Sequence, residues 1–170
     1  MKKGGKFLGV LLAVCMVITM NVVSANADSS VPVTRWDNYA ATKFAGGTGT
    51  KDDPYRIENG EQLAKLAKDV SARNTHKGEY FRLEKNVDLS AHRWIPIGDF
   101  GGSSYKSFEG FLDGNCKTIS GMVVDQSKDQ QSAGLFGYIS NATKGNEVGV
   151  KDLTIANAAL YVDESILADP

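Results

Sequence analysis

Read for apolar and polar positions, the chain divides into three unlike parts. Phe7 to Val23 is an almost uninterrupted apolar run. In "IENGEQLAKLAKDV", residues 57–70, the apolar positions Leu63, Leu66, Ala67 and Val70 recur at the spacing of a single helical stripe. After Gly78 the pattern changes to short strand-like pieces, among them "YFRL", "WIPIG", "KTISGMVV" and "GLFGYI", separated mostly by Gly, Asn, Asp or Ser. The pattern therefore predicts one helix over about residues 60–71, followed by a mainly β region. Asn59 is placed to cap the helix, Gln62 stands where a capping box puts its Glu or Gln, and Lys68 lies where positive charge suits the helix dipole.

The strand-like pieces repeat weakly. "GFLDG" at 110–114 matches "GLFGY" at 134–138, an offset of 24, and "TISGMVV" at 118–124 matches "TIANAAL" at 154–160, an offset of 36. The hairpins of a β-sandwich would give similar pieces. Recurrence favours a parallel β-helix, in which each coil needs a neighbour to bury its core. Ile119 with Ile155, and Val124 with Leu160, are then expected to stack as inward ladders.

Lys2, Lys3 and Lys6 precede the apolar run and Ala25-Asn26-Ala27 follows it as a small-x-small site, the order of a cleaved signal peptide. The run is short for a membrane span. An uncleaved anchor and a lipoprotein acylated at Cys15 are the competing readings, and Val14 stands where the lipoprotein needs a small residue. The expected division is 1–27 signal peptide, 28–57 N-terminal arm and Gly-rich lead-in turn, and 58–170 capping helix plus an incomplete β-helix of about three to four coils. The expected location is secreted or cell-surface, with no membrane span after cleavage.

Composition narrows the classes. Of 170 residues, those after the signal suffice for one domain with a core, and loss of the three lysines moves the formal charge from −1 to about −4. No Lys/Arg cluster offers a nucleic-acid face. Only Cys116 remains after cleavage, so no internal disulfide forms.

In series, "FAGGTGTKDDPYRIENGEQLAKLAKDV", "YFRLEKNVDLS", "WIPIG", "FEGFLDGNCKTISGMVV" and "GLFGYI" resemble the bacterial surface-protein modules that carry the GLUG motif. Such modules occur in adhesin-like secreted proteins and in the non-catalytic part of immunoglobulin A1-specific metallopeptidases. The resemblance covers about residues 36 to 162. It implies a right-handed β-helix within a larger extracellular protein and no catalysis in the module. Cys116 departs from it, standing where glycine is usual in the "DGN-G" turn.

The candidate chemistry is sparse. "FAGGTGTKDDPYRI" lacks the spacing of a phosphate loop, and Asp52-Asp53 would repel the phosphate, so the stretch reads as a turn. Thr48, Thr50 and Asp52 alternate as calcium ligands do, but without an EF-hand frame. Asp88, Asp99, Asp113 and Asp125 would be the acids of a carbohydrate-active β-helix enzyme, a polysaccharide lyase or glycosidase, which is the alternative reading. Asp113-Gly114-Asn115 reads better as a turn, with Gly114 free to take positive φ and Asn115 to stack amide bonds. His76 and His92 do not share metal-ligand spacing; His92 is expected on an exposed loop. Trp94 is expected to pack against the core, whereas Tyr105 and Tyr138 are the candidates for ligand contact.

The expected function is a non-catalytic structural or adhesive module contacting glycan or a host surface protein, with no cofactor and no metal. The helix is read as a cap, its Leu63/Leu66/Ala67/Val70 face covering an open β-helix end. No comparable cap follows "YVDESILADP", so the chain is expected to continue into, or pack on, further coils.

Overall fold

The computed structural model describes residues 18–20, 32, 34–100, 105–126, 132–140 and 147–162. Most of the expected signal peptide, its cleavage site and the closing "DESILADP" lie outside the described residues.

The helix α1 (Gly60–Ser71) has the bounds that the apolar stripe predicts. The Asn59 side chain accepts from the Gln62 backbone N–H at 3.0 Å. Gln62 reaches back one residue further than a capping box requires and accepts from the Glu58 N–H at 2.7 Å. Leu63, Leu66, Ala67 and Val70 are all buried. They share one core with the inward side chains of the sheet and with Trp36, in a 3-10 turn at Trp36–Tyr39. At the helix start Gly60 lies so close to the Trp36 ring that a Cβ there would collide with it.

The strands are β1 (Ile18–Met20), β2 (Tyr55–Ile57), β3 (Tyr80–Leu83), β4 (Val87–Asp88), β5 (Arg93–Trp94), β6 (Phe111–Ser120), β7 (Val123–Gln126) and β8 (Gly149–Val162). They form an 8-stranded sheet along the path β2-β3-β6-β8-β7-β5, with β4 on β6 and β1 on β8. Every strand pair is parallel. Parallel neighbours need a crossover between them, and α1 supplies it from β2 to β3.

The expected right-handed β-helix of three to four coils is corrected here. The chain forms a mainly-β half-barrel of parallel strands with one helix, its sheet curled rather than wound into regular coils. Two features account for this. Paired residues lie 26, 31 and 38 positions apart (Tyr55↔Phe81, Tyr80↔Phe111, Phe111↔Gly149), so no single period runs through the sheet. The 10-residue β6 and 14-residue β8 also run on where a solenoid would turn a corner, bending at a register shift between Asp113 and Lys117. Gly114 does not take positive φ as expected; Asn115 (φ 49°) and Cys116 (φ 55°) do, matched on β8 by Asp152 (φ 50°). Gly114 is needed for closeness instead, since a Cβ there would sit 2.5 Å from the Asp152 carbonyl oxygen. Asn115 holds the bend: its side chain donates to the Leu83 carbonyl at 3.0 Å and accepts from Arg82 at 2.9 Å, while its N–H donates to Asp113 at 2.8 Å.

Of the two sequence repeats, one is real in space. "TISGMVV" and "TIANAAL" pair in register, with Ile119 against Ile155 and Val124 against Leu160. "GFLDG" and "GLFGY" do not pair; "GLFGY" lies instead against "WIPIG" through an Ile97↔Phe136 bridge. The ladders Val87–Ile119–Ile155 and Trp94–Val124–Leu160 cross the sheet, fully buried at Ile119 and 42% exposed at Leu160.

The glycine-rich stretch has a structural partner. Ala45 N–H donates to the Arg56 carbonyl and Arg56 N–H donates to the Gly46 carbonyl, both at 2.9 Å, so the stretch pairs with the outer edge of β2. The Thr48 and Gly49 N–H groups, which a phosphate loop would keep free, both donate to the Asp53 carbonyl at 3.0 Å.

Because Leu66 is fully buried in the core that helix and sheet share, Leu66→Ala should lower the unfolding free energy by about 2–5 kcal/mol. Urea denaturation followed by circular dichroism measures this. A loss under about 1 kcal/mol would mean that the helix does not share that core.

Candidate functional site

Exposed aromatic rings are the least expected feature of a surface, because leaving them in water forgoes the free energy of burial. Two such rings, Phe100 at 54% and Tyr105 at 61% exposure, stand together on this chain. They stand just inside an antiparallel bridge, which closes a short hairpin through reciprocal backbone bonds between Asp99 and Lys106 at 2.8 and 2.9 Å. Each ring follows or precedes one of the bridged residues, so the two face each other, stacked at 4.7 Å with 24° between planes. Tyr138 completes the group, 5.2 Å from Phe100 and 5.9 Å from Tyr105.

Tyr138 is delivered from a segment far along the chain. Ile97 accepts from the Gly137 N–H at 2.9 Å, and the Tyr138 carbonyl accepts from the Phe108 N–H at 3.0 Å. Gly98, at φ 82°, allows the approach; a Cβ there would lie 2.5 Å from the Tyr138 carbonyl oxygen. The two tyrosines singled out in the sequence thus meet in one cluster. Phe100, missed in the sequence, joins them.

Beside the rings lies a cleft of about 480 Å³ between the Trp36–Tyr39 turn, α1 and the Trp94–Asp99 segment. Trp36 and Trp94 are buried in its floor, their indole N–H groups donating to the Leu89 carbonyl at 3.0 Å and the Leu135 carbonyl at 3.2 Å. Trp94 therefore packs as expected. Arg35 pairs with Asp37 Oδ2 at 3.4 Å, and Lys68 donates to the Asp37 carbonyl at 3.3 Å. Asp37 Oδ1 is shielded from solvent and has no hydrogen-bond partner among the described residues.

The histidines are placed otherwise than expected. His92 is half-buried, stacked on Tyr39 at 3.8 Å and hydrogen-bonded to Thr34 Oγ1 at 2.7 Å, rather than on an exposed loop. His76 is 4% exposed, its Nδ1 against Glu79 at 2.5 Å and its Nε2 3.4 Å from Asp69, which also pairs with Lys65 at 2.8 Å. Its two nitrogens face opposite carboxylates, and among the described residues no group of three His, Cys, Asp or Glu converges on a metal position. The spacing in "HKGE" is the sequence signal for the His76–Glu79 contact.

The candidate acids are scattered. Asp88 accepts from the Ser90 N–H at 2.9 Å, Asp113 pairs with Lys151 at 3.1 Å, and Asp99 belongs to the hairpin; the Asp125 side chain lies outside the described residues. On the outer face Lys51 bonds Glu147 at 2.9 Å. That hydrogen bond, with the opposite charge, raises the Lys51 pKa, and the hydrogen bond from Lys51 lowers that of Glu147. Both ends are well exposed, which leaves the pair little weight in stability.

No family model matches the chain, and no solved structure matches it. It is similar to a Gly-rich membrane protein of Evansella cellulosilytica, 33% identical over 140 residues, 78% of this chain and 14% of that protein. It is also similar to halomucin of Haloquadratum walsbyi, 30% identical over 138 residues, 69% of this chain and 2% of halomucin. The chain thus spans only a small part of either relative. Their names point to a membrane or cell-surface setting.

An exposed ring that is not there for packing is cheap to remove. Phe100→Ala and Tyr105→Ala should each cost less than about 1.5 kcal/mol, against about 3–5 kcal/mol for Trp94→Ala. Thermal melts of the three variants check the contrast; equal losses would make the rings part of the core.

Proposed function

We propose that the chain is a non-catalytic module of an exported or surface protein that contacts glycan through Phe100, Tyr105 and Tyr138. The carrying observation is the cluster itself: three rings on a hairpin and a neighbouring segment, two of them largely open to water. A pyranose ring has apolar C–H faces and polar edges. Aromatic rings meet the faces, while backbone and charged groups at the rim meet the hydroxyls. The order of motifs shared with GLUG-containing modules and the surface setting of the relatives' names support the same reading. So does the apolar run behind Lys2, Lys3 and Lys6, which fits export by a signal peptide.

A glycan array probed with the chain, followed by calorimetry on the best ligand, tests this. Binding should fall about tenfold or more in the double variant Phe100→Ala/Tyr105→Ala. Undiminished binding would remove the rings from the site. Cleavage of a polysaccharide in the same assay, lost on Asp99→Ala or Asp113→Ala, would replace the module with a carbohydrate-active enzyme.

A further inference from the structure

The ring cluster and the cleft are built on the same hairpin. Asp99 and Lys106, which close it, both line the cleft, and each is bonded in sequence to one of the exposed rings. Each ring residue is thus the chain neighbour of a cleft residue, about 3.8 Å away between Cα atoms, which sets a unit stacked on the rings beside the cleft. At about 480 Å³ the cleft has the size of a small-molecule site.

We infer that this cleft takes a carboxylate-bearing sugar unit, the neighbour, in one glycan chain, of the unit stacked on Phe100 and Tyr105. The inference rests on the glycan-contact reading and names the class of glycan. Three cations line the cleft: Arg35, Lys68 and Lys106. Arg35 is engaged by Asp37. Lys68 is bonded to a neutral carbonyl and makes no ion pair among the described residues. The Lys106 side chain makes no ion pair among the described residues, while its backbone is fixed by Asp99. Two ammonium groups without acidic partners at the wall of a concave site favour an anion, because charge-assisted bonds to a carboxylate are roughly twice as strong as neutral ones.

Asp37 itself offers a ligand little: its Oδ2 is taken by Arg35, and its Oδ1 is shielded from solvent. The hydroxyls of a sugar are met instead by the polar lining of the cleft, where Asn38 and Ser71 stand beside the two lysines. An apolar ligand satisfies neither the lysines nor these groups. A ligand that carries hydroxyls and a carboxylate on the same ring answers both, as a hexuronic acid does. The buried tryptophans add no competing polar demand, since both indole N–H groups are already bonded.

Calorimetry of the full chain against oligogalacturonides, with a neutral dextran and a sulfated dextran as separate arms, tests the inference. The oligogalacturonide should bind at least about tenfold more tightly than the neutral polymer, a gap that Lys106→Gln closes while neutral binding stays as it was. Lys106→Arg should restore most of the gap, and circular dichroism melts of both variants should match the parent. Equal affinity for neutral and uronate polymers, or an unchanged uronate affinity in both Lys106→Gln and Lys68→Gln, would overturn the uronate assignment and leave the rings as the contact. Stronger binding of sulfated dextran would overturn the carboxylate in favour of a sulfate ester. If no polymer binds in a manner that depends on Phe100 and Tyr105, the glycan-contact reading itself falls.

Discussion

In a parallel sheet a residue's lateral neighbours come from segments far away in sequence. The ladder Val87–Ile119–Ile155 joins β4, β6 and β8, and Trp94–Val124–Leu160 joins β5 and β7 to the same β8. Each ladder buries apolar surface worth roughly 1.5–3 kcal/mol per fully covered side chain, but only if all its strands are in register. A slip of one residue would turn Ile119 outward and Thr118 inward together. The polar bend at Asn115 guards against this, because its side chain is bonded to β3 at Leu83 and Arg82 while its own N–H is held by Asp113. Register, curl and core are thus one constraint seen from three sides.

The helix was legible in the sequence because every local signal agreed. Asn59, Gln62 and the stripe from Leu63 to Val70 all specify the same element, and the observed bounds follow. The pairing of "TISGMVV" with "TIANAAL" was legible for a similar reason: the likeness runs over seven consecutive positions, five of which pair in register. "GFLDG" and "GLFGY" misled because a likeness of a few apolar and glycine positions carries little register information. The curl of the sheet was hidden. It depends on Asn115, Cys116 and Asp152 taking left-handed backbone conformations inside continuous strands, where polar residues look like corners instead. The assignment to a GLUG-type module implied a coil geometry that those continuous strands do not adopt.

The exposed ring cluster was half legible. Tyr105 stood out for its polar glycine-serine surroundings and Tyr138 for its aromatic character. Their meeting was not readable, since it depends on the close approach of Gly98 to the Tyr138 backbone. Phe100 passed unnoticed because an apolar residue at a strand end is expected to turn inward. His92 was misplaced for the opposite reason: a polar residue beside Arg93 looked exposed, but Tyr39, Trp36 and Thr34 enclose it. The buried His76 shows the same limit in part: Glu79 stands three residues on in "HKGE", but the second partner, Asp69, lies on α1.

The glycine-rich stretch gives the sheet a polarity of assembly. By pairing with Arg56, Ala45 and Gly46 occupy backbone groups that β2 would otherwise present to any extended chain nearby. Open-ended polymerisation by strand addition requires a free donor edge on one copy and a free acceptor edge on the next. With the outward backbone groups of Arg56 already paired, the β2 side offers no free edge there for a second copy to add to. A segment with the look of a phosphate cradle thus covers a backbone edge that would otherwise be a template for strand addition.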